Sequence, residues 1–253
     1  MDESNGRLEG DPYADLTYND PNGIKRWIQR QRFQDVLAYI RKIGINQASR
    51  LLDYGAGDGE LARLVRLEFL CDCSIFEPND SLRIQAQAKL HSNPPKFFTK
   101  SQSIPSGSFD IVFCLEVFEH LPPKEFMNAL SEIDRVISFD GIAIIGVPHE
   151  IYLPALVKGV FRMLRRPGNF DSAPINIALS TFGFPPKSRP VLQIAPDLNY
   201  YAHHLGFDYR VAEACFADHF QIYSKWFSPV RLLGRVFNSE VFFVLKRSAQ
   251  TIS

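Results

Sequence analysis

The sequence predicts an α/β protein built on a doubly wound, mostly parallel sheet, with an insertion late in the chain. Three observations predict it. Short apolar runs alternate with amphipathic helical patterns between Arg50 and Pro148. Two of those runs, "FDIVFCLEV" and "GIAIIGV", are apolar almost throughout, as strands buried on both sheet faces are. From Ile151 to about Pro196 the alternation gives way to a proline-rich stretch, and regularity then returns in "DYRVAEACFADH".

Each element has its own warrant. Residues 1–20 are polar and read as a flexible terminus. Residues 21–45 read as a helical cap, with Ile24, Trp27, Ile28, Val36, Leu37, Ile40 and Ile43 near helical spacing and Gly44 as its stop. "RLLDY" is a strand and "GELARLVRLEF" a helix; "CSIFE" is a strand and "DSLRIQAQAKLH" a helix with Asp80 as its cap. "KFFT" is a short strand before "FDIVFCLEV". "PPKEFMNALSEIDRVI" opens on prolines, which a first helical turn tolerates. At this spacing the crossovers are right-handed. Residues 149–206 form the insertion. Asp208 caps the last helix, and "FQIYSKWF" and "SEVFFVLKR" are joined too closely for a helical crossover, so they pair antiparallel. The main domain therefore runs over residues 46–247.

Composition narrows the classes. The chain has 253 residues, 45% of them hydrophobic, and a net charge of 0. Its overall charge gives no reason to expect a nucleic-acid partner. The opening residues are acidic and polar, without the basic start and apolar core of a secretory signal. No apolar run approaches the ~18 residues of a membrane span, so a cytoplasmic location is expected. Cys71, Cys73, Cys114 and Cys215 lack a second pair at zinc-finger spacing and read as packed thiols, so no metal is expected.

The stretch "LLDYGAGDGE" carries the chemistry. A loop after the first parallel strand lies where open α/β sheets bind ligands. Gly55, Gly57 and Gly59 bring the backbone close, but Glu60 at the helix start would repel a pyrophosphate. No G-x-x-x-x-G-K-[ST] run is present. Glu77 ends the second strand about 20 residues beyond Gly57, where an acid accepts hydrogen bonds from ribose hydroxyls. A ribose without phosphates points to S-adenosylmethionine, whose cationic groups suit the nearby Asp53 and Asp58. Read singly, the glycines also fit a tight turn, and "EVFEH" a helix start with Glu119 and His120 in structural hydrogen bonds.

Together, "LLDYGAGDGELA", "IFEPN", "SFDIVFCLEVFEHL" and "GIAIIGVP" resemble the successive motifs of class I S-adenosylmethionine-dependent methyltransferases, over Arg50 to Pro148. The similarity is greatest to the small-molecule branch. It implies a seven-stranded, Rossmann-like methyltransferase sheet of order 3-2-1-4-5-7-6 with its last strand antiparallel, and an insertion covering the active site. It also implies S-adenosylmethionine as cofactor and S-adenosylhomocysteine as product. Asp53 would organise the loop, Gly55, Gly57 and Gly59 line the methionine part, and Glu77 hold the ribose. Leu115 and Glu116 would border the ligand. Many relatives have an acid before the fourth strand that touches adenine; here that place falls to Ser101, Gln102 or backbone.

Acceptors in this fold lie above the fourth and fifth strands. His149, directly after the fifth, is the first candidate general base, with His203 and His204 behind it. In "YLPALVKGVFRMLRR", Leu153, Leu156, Val157, Val160, Phe161 and Leu164 form one helical face, and Lys158, Arg162, Arg165 and Arg166 the other. From Ile151 to Pro190 six basic residues stand against Asp171 alone. The reading is a methyltransferase acting on oxygen of a small or lipid-linked metabolite, a glycan precursor or a quinone. Residues 153–166 would meet an anionic acceptor or the inner membrane surface, or simply cover the core. The rival is a methyltransferase-fold module that binds a protein partner without catalysis. The oligomeric state is not readable.

Overall fold

The computed structural model describes residues 23–165, 167–195, 198–230, 234 and 238–248; the expectations for residues 1–20 and for Arg166 lie outside them. Nine strands are present there: β1 (Leu51–Tyr54), β2 (Cys73–Phe76), β3 (Phe97–Phe98), β4 (Phe109–Leu115), β5 (Ile137–Pro148), β6 (Val191–Ala195), β7 (Leu198–Tyr201), β8 (Phe220–Ser228) and β9 (Glu240–Arg247). Seven of them make one sheet of order β3-β2-β1-β4-β5-β9-β8. β1 to β5 pair in parallel, and β9 runs antiparallel to both β5 and β8. With β6 and β7 set apart, this is the expected seven-strand order.

Seven helices surround it: α1 (Gly23–Ile43), α2 (Glu60–Phe69), α3 (Asp80–Lys89), α4 (Pro123–Val136), α5 (Tyr152–Arg165), α6 (Pro174–Thr181) and α7 (Tyr209–His219). Side chains alternate across each strand, so β4 serves two cores. Val112 and Cys114 join Leu130 and Ile133 of α4 and Phe216 of α7. Ile111 and Phe113 join Val36, Leu37 and Ile40 of α1 and Leu61 and Val65 of α2. Both faces are covered, which is why β4 and β5 read as apolar runs. The cap of α3 is Asn79, whose side chain accepts the Leu82 N–H, rather than Asp80. Asp208 caps α7 as expected, accepting the Arg210 N–H.

The insertion departs from its sequence pattern twice. It contains a β-hairpin, β6 paired antiparallel with β7. And α5 is seated with Lys158 and Arg162 inward, while Arg165 is exposed. Glu150, wholly buried, takes Lys158 at 2.9 Å and both guanidinium nitrogens of Arg162 at 2.9 and 3.0 Å. Arg162 Nε also lies 3.4 Å from Asp171. Leu156, Val157, Val160, Phe161 and Leu164 are exposed instead, Leu164 at 80%. Two buried acids facing the helix explain the inversion, because a buried carboxylate needs its counter-charge more than an alkyl group needs burial. The close approach of α5 to α6 rests on Gly159, where a Cβ would lie 2.6 Å from Ile177.

Candidate active site

The loop between β1 and α2 is built from left-handed backbone. Gly55, Gly57 and Gly59 have φ of 77°, 57° and 76°, a region that costs other residues energy. At Gly55 there is no room either, since a Cβ would lie 2.5 Å from Val117 Cγ2. The Gly55 and Ala56 N–H groups donate to the Phe76 carbonyl oxygen, tying the loop to the end of β2. The Gly57 N–H donates to Glu77 Oε2 and the Asn79 N–H to Glu77 Oε1, each at 2.8 Å. Glu77 thus holds two loops together before any ligand arrives. Burial raises its carboxyl to about 7 against the pull of those N–H groups.

Asp53 is equally enclosed, and burial raises it to about 7 as well. It accepts the Ala62 N–H in the first turn of α2, and its Oδ2 is buried with no hydrogen-bond partner. Asp58 is buried against Lys89. Glu116, just past β4, has φ of 55°, an unusual conformation for a residue with a side chain. Burial and the neighbouring Glu240 push its carboxyl well above the usual range, opposed by Arg32 of α1. Arg32 lies 3.3 Å from Glu116 and 2.8 Å from Glu240.

These groups share a cavity of about 1580 Å³. Asp53, Gly55, Gly57, Glu77, Ser101, Gln102, Leu115 and Glu116 all line it. Gly59 does not; a Cβ there would crowd Ala86 and Leu90, so this glycine lets α3 pack against the loop. The Ser101 hydroxyl is hydrogen-bonded to Tyr54 and Glu132, and Glu132 also lines the cavity. An orphaned Asp53 oxygen, a backbone cradle with no space for side chains, and a buried ribose-type acid fit a cationic ligand that carries hydroxyls. That is the chemistry of S-adenosylmethionine.

The same cavity is lined by His120, His203 and His204, and by Val157, Lys158, Phe161 and Arg162 of α5. His203 Nδ1 lies 3.5 Å from Asp171, and His204 Nε2 lies 3.1 Å from His120 Nε2. His149 is not on the cavity wall. It is wholly buried, with Nδ1 3.1 Å from the Asn238 carbonyl oxygen and its ring edge-on to Tyr209, and burial lowers it to about 4. The structure therefore brings His203 and His204 to the site and leaves His149 beneath it. His120, read from sequence as structural, is on the wall; "EVFEH" signalled this by placing it on the same strand end as Glu116.

Comparison with known proteins agrees with this geometry. A family profile described as a methyltransferase domain matches residues 27–168. No curated protein matches the chain. Among solved structures, it is similar to magnesium protoporphyrin IX methyltransferase (ChlM) from Synechocystis PCC 6803 with bound S-adenosylhomocysteine. The TM-score is 0.60 at 18% identity, covering 92% of each chain. It is similar to the N-methyltransferase NodS from Bradyrhizobium japonicum WM9, also with that product, with a TM-score of 0.57 at 11% identity over 95% of this chain and 94% of that one. It is similar too to 1,6-didemethyltoxoflavin-N1-methyltransferase from Burkholderia thailandensis, with a TM-score of 0.54 at 14% identity over 92% and 84%. The profile spans more than half of the sequence and the sheet order is shared, so the chain belongs to the methyltransferase-domain family, as a class I S-adenosylmethionine-dependent methyltransferase.

Proposed function

We propose that this methyltransferase acts on an oxygen of a small or lipid-linked metabolite, of glycan-precursor or quinone type. The observation that carries the reading is the single cavity lined both by the glycine loop and by the imidazoles of His203 and His204. When bound, the cofactor supplies a methyl group already activated on a sulfonium. Glu77 accepts the ribose hydroxyls, Asp53 and Glu116 set negative charge near the cationic centre, and Ser101 and Gln102 take the adenine edge. An alcohol or phenol becomes a better nucleophile as its proton leaves, and His204 and His203 are the imidazoles placed to receive it. Aligning acceptor and methyl group and excluding water is the remaining contribution of the chain.

Two features of α5 bear on the acceptor. Lys158 and Arg162 line the cavity while paired with Glu150 and Asp171, so an anionic group there would share donors already in place. Val157 and Phe161 line the cavity and are also exposed, 62% and 42%, within the outward apolar face. A lipid chain leaving the cavity would find an apolar path along the helix, and residues 153–166 would then rest on a membrane surface. Among the described residues no helix is long and apolar enough to cross a membrane. The solved relatives named above include N-methyltransferases, so the acceptor atom is the point to test. Protein and methyl-labelled cofactor are incubated with hydroxylated quinone precursors, polyprenyl-linked sugars and amine analogues of each. An O-methylated product by mass spectrometry supports the reading, and methylation confined to the amines rejects it.

A further inference from the structure

Glu119 follows β4 and is buried with 0% of its side chain exposed; neither oxygen has a hydrogen-bond partner beyond its own backbone N–H. Methyl transfer to oxygen, as described above, leaves this group unexplained. A carboxylate removed from water and left unpaired is strongly unfavourable. Its neighbours are two imidazoles. His120 Nδ1 lies 2.7 Å from the Tyr201 carbonyl oxygen, which only an N–H satisfies, so Nε2 presents a bare lone pair. Tyr200 stacks on the same ring, centroids 4.3 Å apart, and fixes its plane.

The three donor atoms converge. His120 Nε2 lies 3.1 Å from His204 Nε2 and 3.7 Å from Glu119 Oε1, and His204 Nε2 lies 4.0 Å from that oxygen. The centre of the circle through three atoms so spaced is about 2.1 Å from each, the length of a zinc–imidazole bond. A hydrogen bond between the imidazoles accounts for the 3.1 Å separation but leaves Glu119 unpaired. With the His204 proton on Nδ1, which faces Glu116 Oε2 at 4.0 Å, two lone pairs and a carboxylate meet at one point. His120 has a hydrogen-bonded acceptor behind it, the outer arrangement that metal-binding histidines use, and the nearest carboxylate behind His204 is Glu116, at 4.0 Å.

We propose that Glu119, His120 and His204 bind a divalent transition-metal ion on the wall of the cavity. Two imidazoles and one carboxylate suit Zn²⁺, Mn²⁺ or Co²⁺ better than Mg²⁺. The inference departs from the expectation of a metal-free chain, which weighed cysteine spacing. His120 and His204 line the cavity, so an acceptor hydroxyl can become a further ligand and lose its proton more easily. That role rests on the oxygen-acceptor reading, and with His204 Nε2 on the metal the released proton goes to His203 alone, which lines the same cavity; the binding of metal does not rest on it.

The test uses tag-free full-length protein stripped with a chelator and titrated with ZnCl₂ or MnCl₂ alone. One equivalent binds by calorimetry, and CoCl₂ produces a visible absorption band. His204→Ala and Glu119→Gln each weaken zinc binding at least tenfold. Circular dichroism and S-adenosylhomocysteine titration verify that each variant is folded. If Glu119→Gln does not fold, His204→Ala, at a partly exposed residue of the insertion, decides alone. Absence of zinc binding, or unchanged binding in a folded His204→Ala variant, overturns the site. One-equivalent binding without methylation of any hydroxyl acceptor keeps the site and rejects the oxygen reading.

Discussion

Both oxygens of Glu77 already accept backbone N–H groups, so its removal acts on the ligand and on the loop together. Glu77→Ala weakens S-adenosylhomocysteine binding at least tenfold by calorimetry, since each charged hydrogen bond lost costs about 1.5–3 kcal/mol. Unchanged affinity would take Glu77 out of the site. Asp53 and Glu77 both stand at about 7, raised by burial. Raised acids contribute stability below their unfolded values, near 4, and that contribution is lost as pH climbs through 7. A ligand that donates hydroxyls or brings positive charge favours the ionised forms. Cofactor affinity therefore weakens roughly tenfold from pH 8 to pH 6 for one such group, with protons released on binding. Equal affinities at the two pH values would show that neither acid meets the ligand. Gly55 and Gly57 were readable in the sequence because left-handed backbone and close approach are local demands that only glycine meets. His203 and His204 were readable as candidates from their place at the end of the insertion; the place of His120 on the wall was not. His204 finds its partner His120 across 84 positions, through a hairpin that no local pattern announced.

The orientation of α5 is the clearest case where periodicity stops short. Helical spacing separates an apolar face from a basic one, but it does not say which face turns inward. Here the decision lies with Glu150 and Asp171, single acids outside the helix itself. Glu150→Gln leaves Lys158 without its buried counter-charge and Arg162 with Asp171 alone, and destabilises the protein by about 3–5 kcal/mol in denaturant unfolding. A loss under about 1 kcal/mol would mean that water screens these pairs as at an open surface. Burial alone would raise the Glu150 carboxyl, but Arg162 and Lys158 overcome it and hold it well below the usual range. A depressed acid contributes stability above its unfolded value, so this contribution persists at neutral pH and fades only in strong acid. The hairpin β6–β7 escaped sequence reading for another reason. Its strands have five and four residues, follow a proline-rich run and pair only with each other.

At the scale of the whole molecule, a net charge of 0 offers no long-range attraction to a membrane, so the proposed contact rests on a local apolar face. Beyond the outward face of α5, Ile175, Leu179, Phe182 and Phe184 of the same insertion are also exposed. Val157→Asp combined with Leu164→Asp lowers vesicle co-sedimentation at least severalfold and leaves S-adenosylhomocysteine affinity unchanged. Sedimentation equal to the parent protein would leave the apolar face without a membrane role. The parallel half of the sheet was foreseeable because strand–helix alternation states its own topology. The pairing of Arg32 with Glu240, 208 positions apart, was not. That pairing ties the site to the order of synthesis. β9 is an interior strand between β5 and β8, and it carries Glu240 at its start. A nascent chain stalled before Glu240 has β1 to β5 in hand, yet β5 lacks its antiparallel neighbour and Arg32 has Glu116 but not its second carboxylate. The glycine loop can form early on the ribosome, but the cavity wall lacks Glu240 until β9 has cleared the exit tunnel.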